Sequence, residues 1–266
     1  MPFNGKRSYR KKRGAPKKRN YKKRGGVSLA TKRYVKRTIH AQIEDKFNYV
    51  ANSGERLATP AVNPGLLTVS MIPYTQITQG VGQGQRIGNT IRTKRVEFNF
   101  SIFPAPYNQS TNSQPVPQEV IMMFGKVKNS RAQQPIASDY AHIWQTGNTS
   151  TGPYSTLLDL LGSVNKDYFT VYKVCRFKVG YASSQGSGNT VADQFFANND
   201  FKLNITKRMN ITSMVPKIVK FNDGTAQNTN DGLWMWAWCV NADGSFTAQY
   251  QPAEMAYTLN YTFEDA

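Results

Sequence analysis

From residue 46 onward apolar positions recur at every second residue, the period of a strand with one buried face. "RVEFNFSIF" (95–103) sets Val96, Phe98, Phe100 and Ile102 against Arg95, Glu97, Asn99 and Ser101. "MAYTLNYTF" (255–263) sets Met255, Tyr257, Leu259, Tyr261 and Phe263 against Ala256, Thr258, Asn260 and Thr262. "YFTVYKVCRFKVG" (168–180) alternates Phe169, Val171, Cys175, Phe177 and Val179, with Lys173 intruding. "LWMWAWCV" (233–240) is apolar on both sides, with Trp234, Trp236 and Trp238 on one and Leu233, Met235, Ala237 and Cys239 on the other. That pattern predicts a central strand covered on both faces, or one whose outer face meets a partner. Further strands are predicted at 47–51, 66–72, 118–124, 201–206 and 216–221, about nine in all.

Helical periodicity is scarce. Short helices are predicted at 137–145 and 154–162. Ahead of the strands, "SLATKRYVKRTIHAQIED" repeats Val35, Ile39 and Ile43 at four-residue spacing behind Ser28, a capping residue, which predicts a short basic helix over 29–43. The connections 73–90, 104–117, 180–199 and 222–231 are long and polar. Strands of this kind, joined by long loops and without a repeat at propeller spacing, point to an all-β sandwich or jelly roll.

Charge divides the chain in two. Residues 1–38 hold 16 of the 34 Lys and Arg and none of the 16 Asp and Glu, so the remainder is almost neutral. The cations are Lys6, Arg7, Arg10, Lys11, Lys12, Arg13, Lys17, Lys18, Arg19, Lys22, Lys23 and Arg24, followed by Lys32, Arg33, Lys36 and Arg37. A block of like charge cannot bury a core and awaits a polyanion. The expected organisation is therefore a nucleic-acid-binding arm, 1–44, disordered except for its helix, and a folded body, 45–266. Three Lys-Lys-Arg triplets (11–13, 17–19, 22–24), separated by Gly, Pro, Asn and Tyr, keep the arm unfolded and cationic at every step. Such clusters are also what nuclear import receptors read. Tyr9 and Tyr21 add rings on which bases can stack. A membrane-binding arm would need an apolar face or a lipidation site, and 1–26 offers neither. No apolar run reaches the length of a membrane helix, so no membrane insertion is expected.

Catalytic groups are hard to find. The two histidines, His40 and His142, sit in the basic tether and in a Tyr-Ala-His-Ile-Trp segment, with no nucleophile elbow to serve. Cys175 and Cys239 lie inside strand patterns and read as buried free thiols, in keeping with a reducing site of synthesis, where the Asn-x-Ser/Thr triplets stay unmodified. "GVGQGQRIGN" fails as a dinucleotide loop because the third glycine would fall at Ile87. Glu44-Asp45 and Glu264-Asp265 read as solvated ends. No enzyme, no metal and no cofactor is expected.

The basic start, "TKRYVKRTI" (31–39) and "QGQRIGNTIRTKRVEFNF" (83–100) together resemble the capsid proteins of circular Rep-encoding single-stranded DNA viruses, the circovirus-like CRESS-DNA group. The resemblance implies a single jelly roll of two four-stranded antiparallel sheets, in sixty copies forming a small icosahedral shell. It also implies an arm that faces a single-stranded DNA genome and serves for nuclear import, with loops that meet other copies and a host surface receptor. The expected locations are the virion and the host nucleus. Sixty arms would carry roughly a thousand positive charges, a load suited to a small genome. Gly84 and Gly88 are expected to let the chain turn, and Arg86 and Asn89 to pin neighbouring loop carbonyls, in preference to touching DNA. Two rivals share the arm's physics: a coat protein of a small RNA virus or satellite, and a cellular single-stranded nucleic-acid binding protein.

Overall fold

The alternation of "RVEFNFSIF" continues upstream in space, because the strand that carries it starts at Thr90 and runs fourteen residues. A computed structural model of the chain describes residues 27–42, 44–57, 67–105, 112, 116–128, 142–146, 149–151, 158–180, 201–224, 232–242 and 252–265. The chain divides into two units, residues 1–43 and 44–266.

In the first unit, helix α1 spans Leu29–Gln42. Ser28 caps it, its Oγ accepting from the Thr31 backbone N–H at 3.0 Å, which satisfies one of the donors a helix leaves open at its start.

Among its described residues the second unit has eleven strands: β1 (Lys46–Arg56), β2 (Leu67–Ser70), β3 (Thr90–Phe103), β4 (Gln118–Val127), β5 (Trp144–Thr146), β6 (Thr149–Thr151), β7 (Phe169–Val179), β8 (Ile205–Asn210), β9 (Ile218–Lys220), β10 (Trp234–Asn241) and β11 (Glu254–Asp265). The main pairings nest: β1 with β11, β2 with β10, β3 with β8 and β4 with β7, all antiparallel. A long folded hairpin of this kind closes into two sheets when β11 also pairs β3 and β10 also pairs β4. The result is a jelly roll, with sheet orders β1-β11-β3-β8 and β2-β10-β4-β7. The first sheet holds five segments where four were expected, because β8 and β9 share one edge of β3, at Glu97–Ile102 and Thr90–Arg92.

The core lies between the sheets. Val96, Phe98, Phe100 and Ile102 of β3 meet Val120, Met122 and Phe124 of β4, with Phe98 edge-on to Phe124 and Phe100 edge-on to Phe177 of β7. Each such side chain, fully buried, contributes about 1.5–3 kcal/mol. A second apolar cluster lies on the other face of the second sheet. There Trp234, Trp236 and Trp238 pack with Ile143, Trp144 and Phe169, and Trp144 stands edge-on to Trp238. The segment leading into β7 thus covers this sheet, which is why β10 is apolar on both sides. Trp144 is fixed there by its Nε1–H, which donates to the buried Asp159 carboxylate at 2.8 Å from the one-turn helix Leu158–Leu161.

Five expectations need correction. Residues 144–145 are strand, not helix, because Trp144–Thr146 pairs with Thr149–Thr151; the remainder of the predicted helix, 137–141, lies outside the described residues apart from the turn at 142–143. The strand predicted at 201–206 runs at Ile205–Asn210; of the helix predicted at 154–162, residues 154–157 lie outside the described residues, and the described part is helical at Leu158–Leu161 and ends before Gly162. Glu264 is no solvated end: it is 1% exposed, with Arg92 at 3.2 Å and Lys94 at 3.0 Å. Cys239 is buried and Cys175 only half-buried.

Gly125 of β4 sits where there is no room for a side chain. A Cβ there would lie 2.5 Å from the Thr170 carbonyl oxygen and 3.1 Å from the Trp236 ring, at the irregularity in the β4–β7 register. Gly125→Ala is expected to cost about 2 kcal/mol or more, lowering the thermal midpoint by roughly 5 °C. An unchanged midpoint in a melting experiment would show that the strand yields without cost.

Candidate nucleic-acid interface

Twelve of the expected phosphate-binding cations, Lys6 to Arg24, lie outside the described residues, as do Tyr9 and Tyr21. The other four belong to α1 at positions 32, 33, 36 and 37, an i, i+1, i+4, i+5 arrangement that keeps them within about 140° of the helix circumference. Lys32 and Arg33 are exposed; the side chains of Lys36 and Arg37 are outside the described residues.

The glycine-rich segment is a clasp at the start of the body. Arg86 is 0% exposed. Its Nη1 donates to the Gly88 carbonyl at 2.6 Å and to Asn89 Oδ1 at 2.9 Å, and its guanidinium lies 4.4 Å from the Phe221 ring centroid. The Asn89 amide donates to the Asp223 carboxylate at 3.1 Å, so it pins a side chain and not a loop carbonyl. The Arg86 backbone N–H bonds to the Thr78 carbonyl, and its own carbonyl accepts from Gly80. Gly84 leaves room for the Phe47 carbonyl, which a Cβ would approach to 3.3 Å. The nearly buried Lys46 joins this loop to the end of β11, donating to the Gln85 carbonyl at 2.8 Å and pairing with Asp265 at 2.7 Å. Asp265 also accepts from the Ile87 N–H. The strand that follows the arm, the loop and the last strand are thus tied together.

The first sheet's outer face is open. Over most of its length the outward residues are half-buried or exposed: Phe47, Tyr49 and Ala51 of β1, Ala256, Thr258, Asn260 and Thr262 of β11, Arg95, Glu97, Asn99 and Ser101 of β3, and Thr206, Arg208 and Asn210 of β8; at one end Glu264 is buried beneath Arg92 and Lys94. Glu97 lies between Arg208 at 2.8 Å and Arg95 at 2.5 Å, and the hydrogen bonds from Arg208 and then Arg95 hold its carboxyl below the usual range. The sign is that of a depressed acid: the stabilisation is present above the ordinary glutamate pKa and is lost as pH falls through the lowered value. Glu97→Gln is therefore expected to be less stable than the native chain in urea at pH 7, with the gap narrowing as the pH is lowered into the acid range. A gap constant with pH would rule this out.

The aromatics Phe47 and Tyr49 were missed by the sequence reading, which assigned the body's aromatic residues to the core. They are 52% and 55% exposed. The alternation of "KFNYV" predicts the strand but not which side faces in. Lys46 and Asn48 turn inward because they reach Gln85 and Gln76 carbonyls, and Val50 packs on the core.

The remaining chemistry is quiet. Among the described residues no group of three or more His, Cys, Asp or Glu could hold a metal ion. His142 packs its ring against Tyr168, 4.8 Å between centroids. Burial pushes the Cys239 thiol up to about 12, so it stays protonated near neutral pH and is no nucleophile. Among the described residues no helix is long and apolar enough to cross a membrane.

No family model matches this chain, and no curated protein matches it. Among solved structures, a chain titled Desmodium yellow mottle tymovirus is similar at 13% identity and a TM-score of 0.33, covering 84% of this chain and 87% of that one. At that level of similarity no residue here takes a role from it.

Proposed function

We propose that this is a coat protein: the jelly-roll body assembles with copies of itself into a closed shell, and the arm holds a single-stranded genome inside. The observation that carries the reading is the separation of charge. Almost half of the chain's cations precede residue 39 with no acid among them, ahead of an almost neutral β-sandwich. Phosphate neutralisation by such an arm gives affinity without sequence readout, which is what packaging requires and what a sequence-specific regulator avoids. The long loops between strands then serve contact between copies and with a host surface receptor.

Single-stranded DNA is the proposed cargo, on the resemblance of the segment from Gly84 to Asn89 to CRESS-DNA coat proteins; RNA is the alternative, since the arm's chemistry suits both. Sixty copies in the shell, import into the host nucleus through the triplets at 11–13, 17–19 and 22–24, and residence in the virion belong to the same reading. Negative-stain electron microscopy of the full-length protein at moderate salt tests it. Uniform closed particles are expected, with contents that a DNase digests once the particles are opened. RNase-sensitive contents would replace DNA by RNA. Monomers or dimers that persist across salt, pH and added single-stranded DNA would overturn the shell.

A further inference from the structure

We propose that the open outer face of the first sheet is a base-stacking platform for single-stranded nucleic acid, with Phe47 and Tyr49 as its stacking side chains. The inference deepens the coat-protein reading and rests on it for the identity of the polyanion.

The two sheets are treated differently by the chain. The second has the outer face of β10 and β4 covered by Ile143, Trp144 and the residues leading into β7, with its tryptophans buried beneath them, while Val174 and Arg176 at its β7 edge are exposed. In the first, the outward positions at 47–51, 95–101 and 256–262 are half-buried or exposed, and it is the sheet whose edge strand β1 follows the basic arm and α1 in the sequence. On that strand two aromatic rings occupy alternate positions of one face, about 7 Å apart along the chain, twice the spacing of stacked bases. Both are half-exposed, at a place where exposing ring surface to water is unfavourable without an occupant. Their cross-strand neighbours are polar: Phe47 faces Thr262 and Tyr49 faces Asn260, with Arg95 and Glu97 one row further. Hydroxyl and amide groups beside aromatic rings suit base edges better than the apolar surface of another protein.

Charge supports the same occupant. The face itself carries opposed groups, Arg95 and Arg208 around Glu97, so it does not attract phosphate strongly by itself. The arm supplies that attraction. A strand held by residues 6–37 is delivered at high local concentration to the sheet that begins at Lys46, where its bases find rings. Stacking of this kind tolerates any sequence because every base has a π-face. Arm and face thus divide the work between backbone and base.

The test compares, for full-length chains in which Tyr9→Ala and Tyr21→Ala remove these two rings of the arm throughout, affinity for a thymidine 30-mer and for an abasic strand of equal length, which keeps the phosphates and lacks the bases. The chain that retains Phe47 and Tyr49 is expected to prefer the thymidine strand by about tenfold or more. Phe47→Ala with Tyr49→Ala is expected to abolish the preference with the salt slope unchanged, since no phosphate contact is removed. Phe47→Leu with Tyr49→Leu, which keeps apolar bulk in the strand, is expected to abolish it too; circular dichroism confirms that both variants fold. Equal affinity of the chain that retains Phe47 and Tyr49 for the two strands would overturn the platform and leave the arm intact. A preference that survives in either double variant would also overturn it, and loss of closed particles with the preference retained would assign the rings to a second copy of the chain. Absence of binding to both strands would instead sink the coat-protein reading itself.

Discussion

Deleting residues 1–38 lowers the affinity for single-stranded nucleic acid at 50 mM salt by about a thousandfold or more, while the body keeps its far-ultraviolet spectrum and cooperative melt. The deletion removes 16 cations and no acid, and leaves 18 basic against 16 acidic residues. If about ten of the arm's cations neutralise phosphates, log affinity falls with log salt at a slope near −7, which is about four decades between 50 and 200 mM. The truncated body is expected to show a slope near zero and weak residual binding. The body can be tested in this way because residues 44–266 form a compact unit with its own apolar core. Isothermal titration or fluorescence anisotropy across a salt series gives both numbers. A truncated chain that keeps most of its affinity would place the binding groove in the β-sandwich and favour the cellular binding protein over a coat protein.

The architecture was readable where one residue type had one physical option. β3 and β11 alternate cleanly because one side of each lies between two sheets and the other faces water, and β10 is apolar throughout because it is covered twice. What local pattern could not supply was the identity of the cover. Trp144 lies in a segment with helical spacing, yet its place against Trp238 and its bond to Asp159 make the chain extended there. β8 slipped by four residues for a related reason. As an edge strand its side chains are mostly exposed, so pairing with Glu97–Ile102 of β3, and not a hydrophobic period, fixes its limits. Glu264 looked like a solvated terminus because nothing in the sequence places it beside Arg92 and Lys94, more than 150 residues earlier. For the candidate interface, charge made the arm visible at once. The outward face of the first sheet required knowing that an inward Lys46, tied to Asp265, turns Phe47 and Tyr49 outward.

Arg86→Ala is expected to destabilise the body by about 3 kcal/mol, roughly 6–12 °C in thermal midpoint, with the affinity of the folded protein for single-stranded nucleic acid unchanged. The guanidinium has no exposure, so it cannot reach a phosphate without leaving its site. Its removal strands the Gly88 carbonyl and Asn89 Oδ1, opens space beside Phe221 and loosens the loop that receives Lys46 and Asp265. Arg86→Lys is expected to recover little, because a single ammonium cannot span both acceptors while stacking on a ring. Asn89→Asp provides a contrast: it puts a carboxylate against Asp223 at the position of a 3.1 Å hydrogen bond, and its cost should fall as pH is lowered and either acid is protonated. A phosphate-contacting Arg86 makes the opposite prediction, with little change in melting and a salt slope reduced by about one. Melting and salt titration on the same two variants therefore separate a clasp that holds the arm-proximal end of the roll from a residue that touches the genome. The burial of the guanidinium favours the clasp.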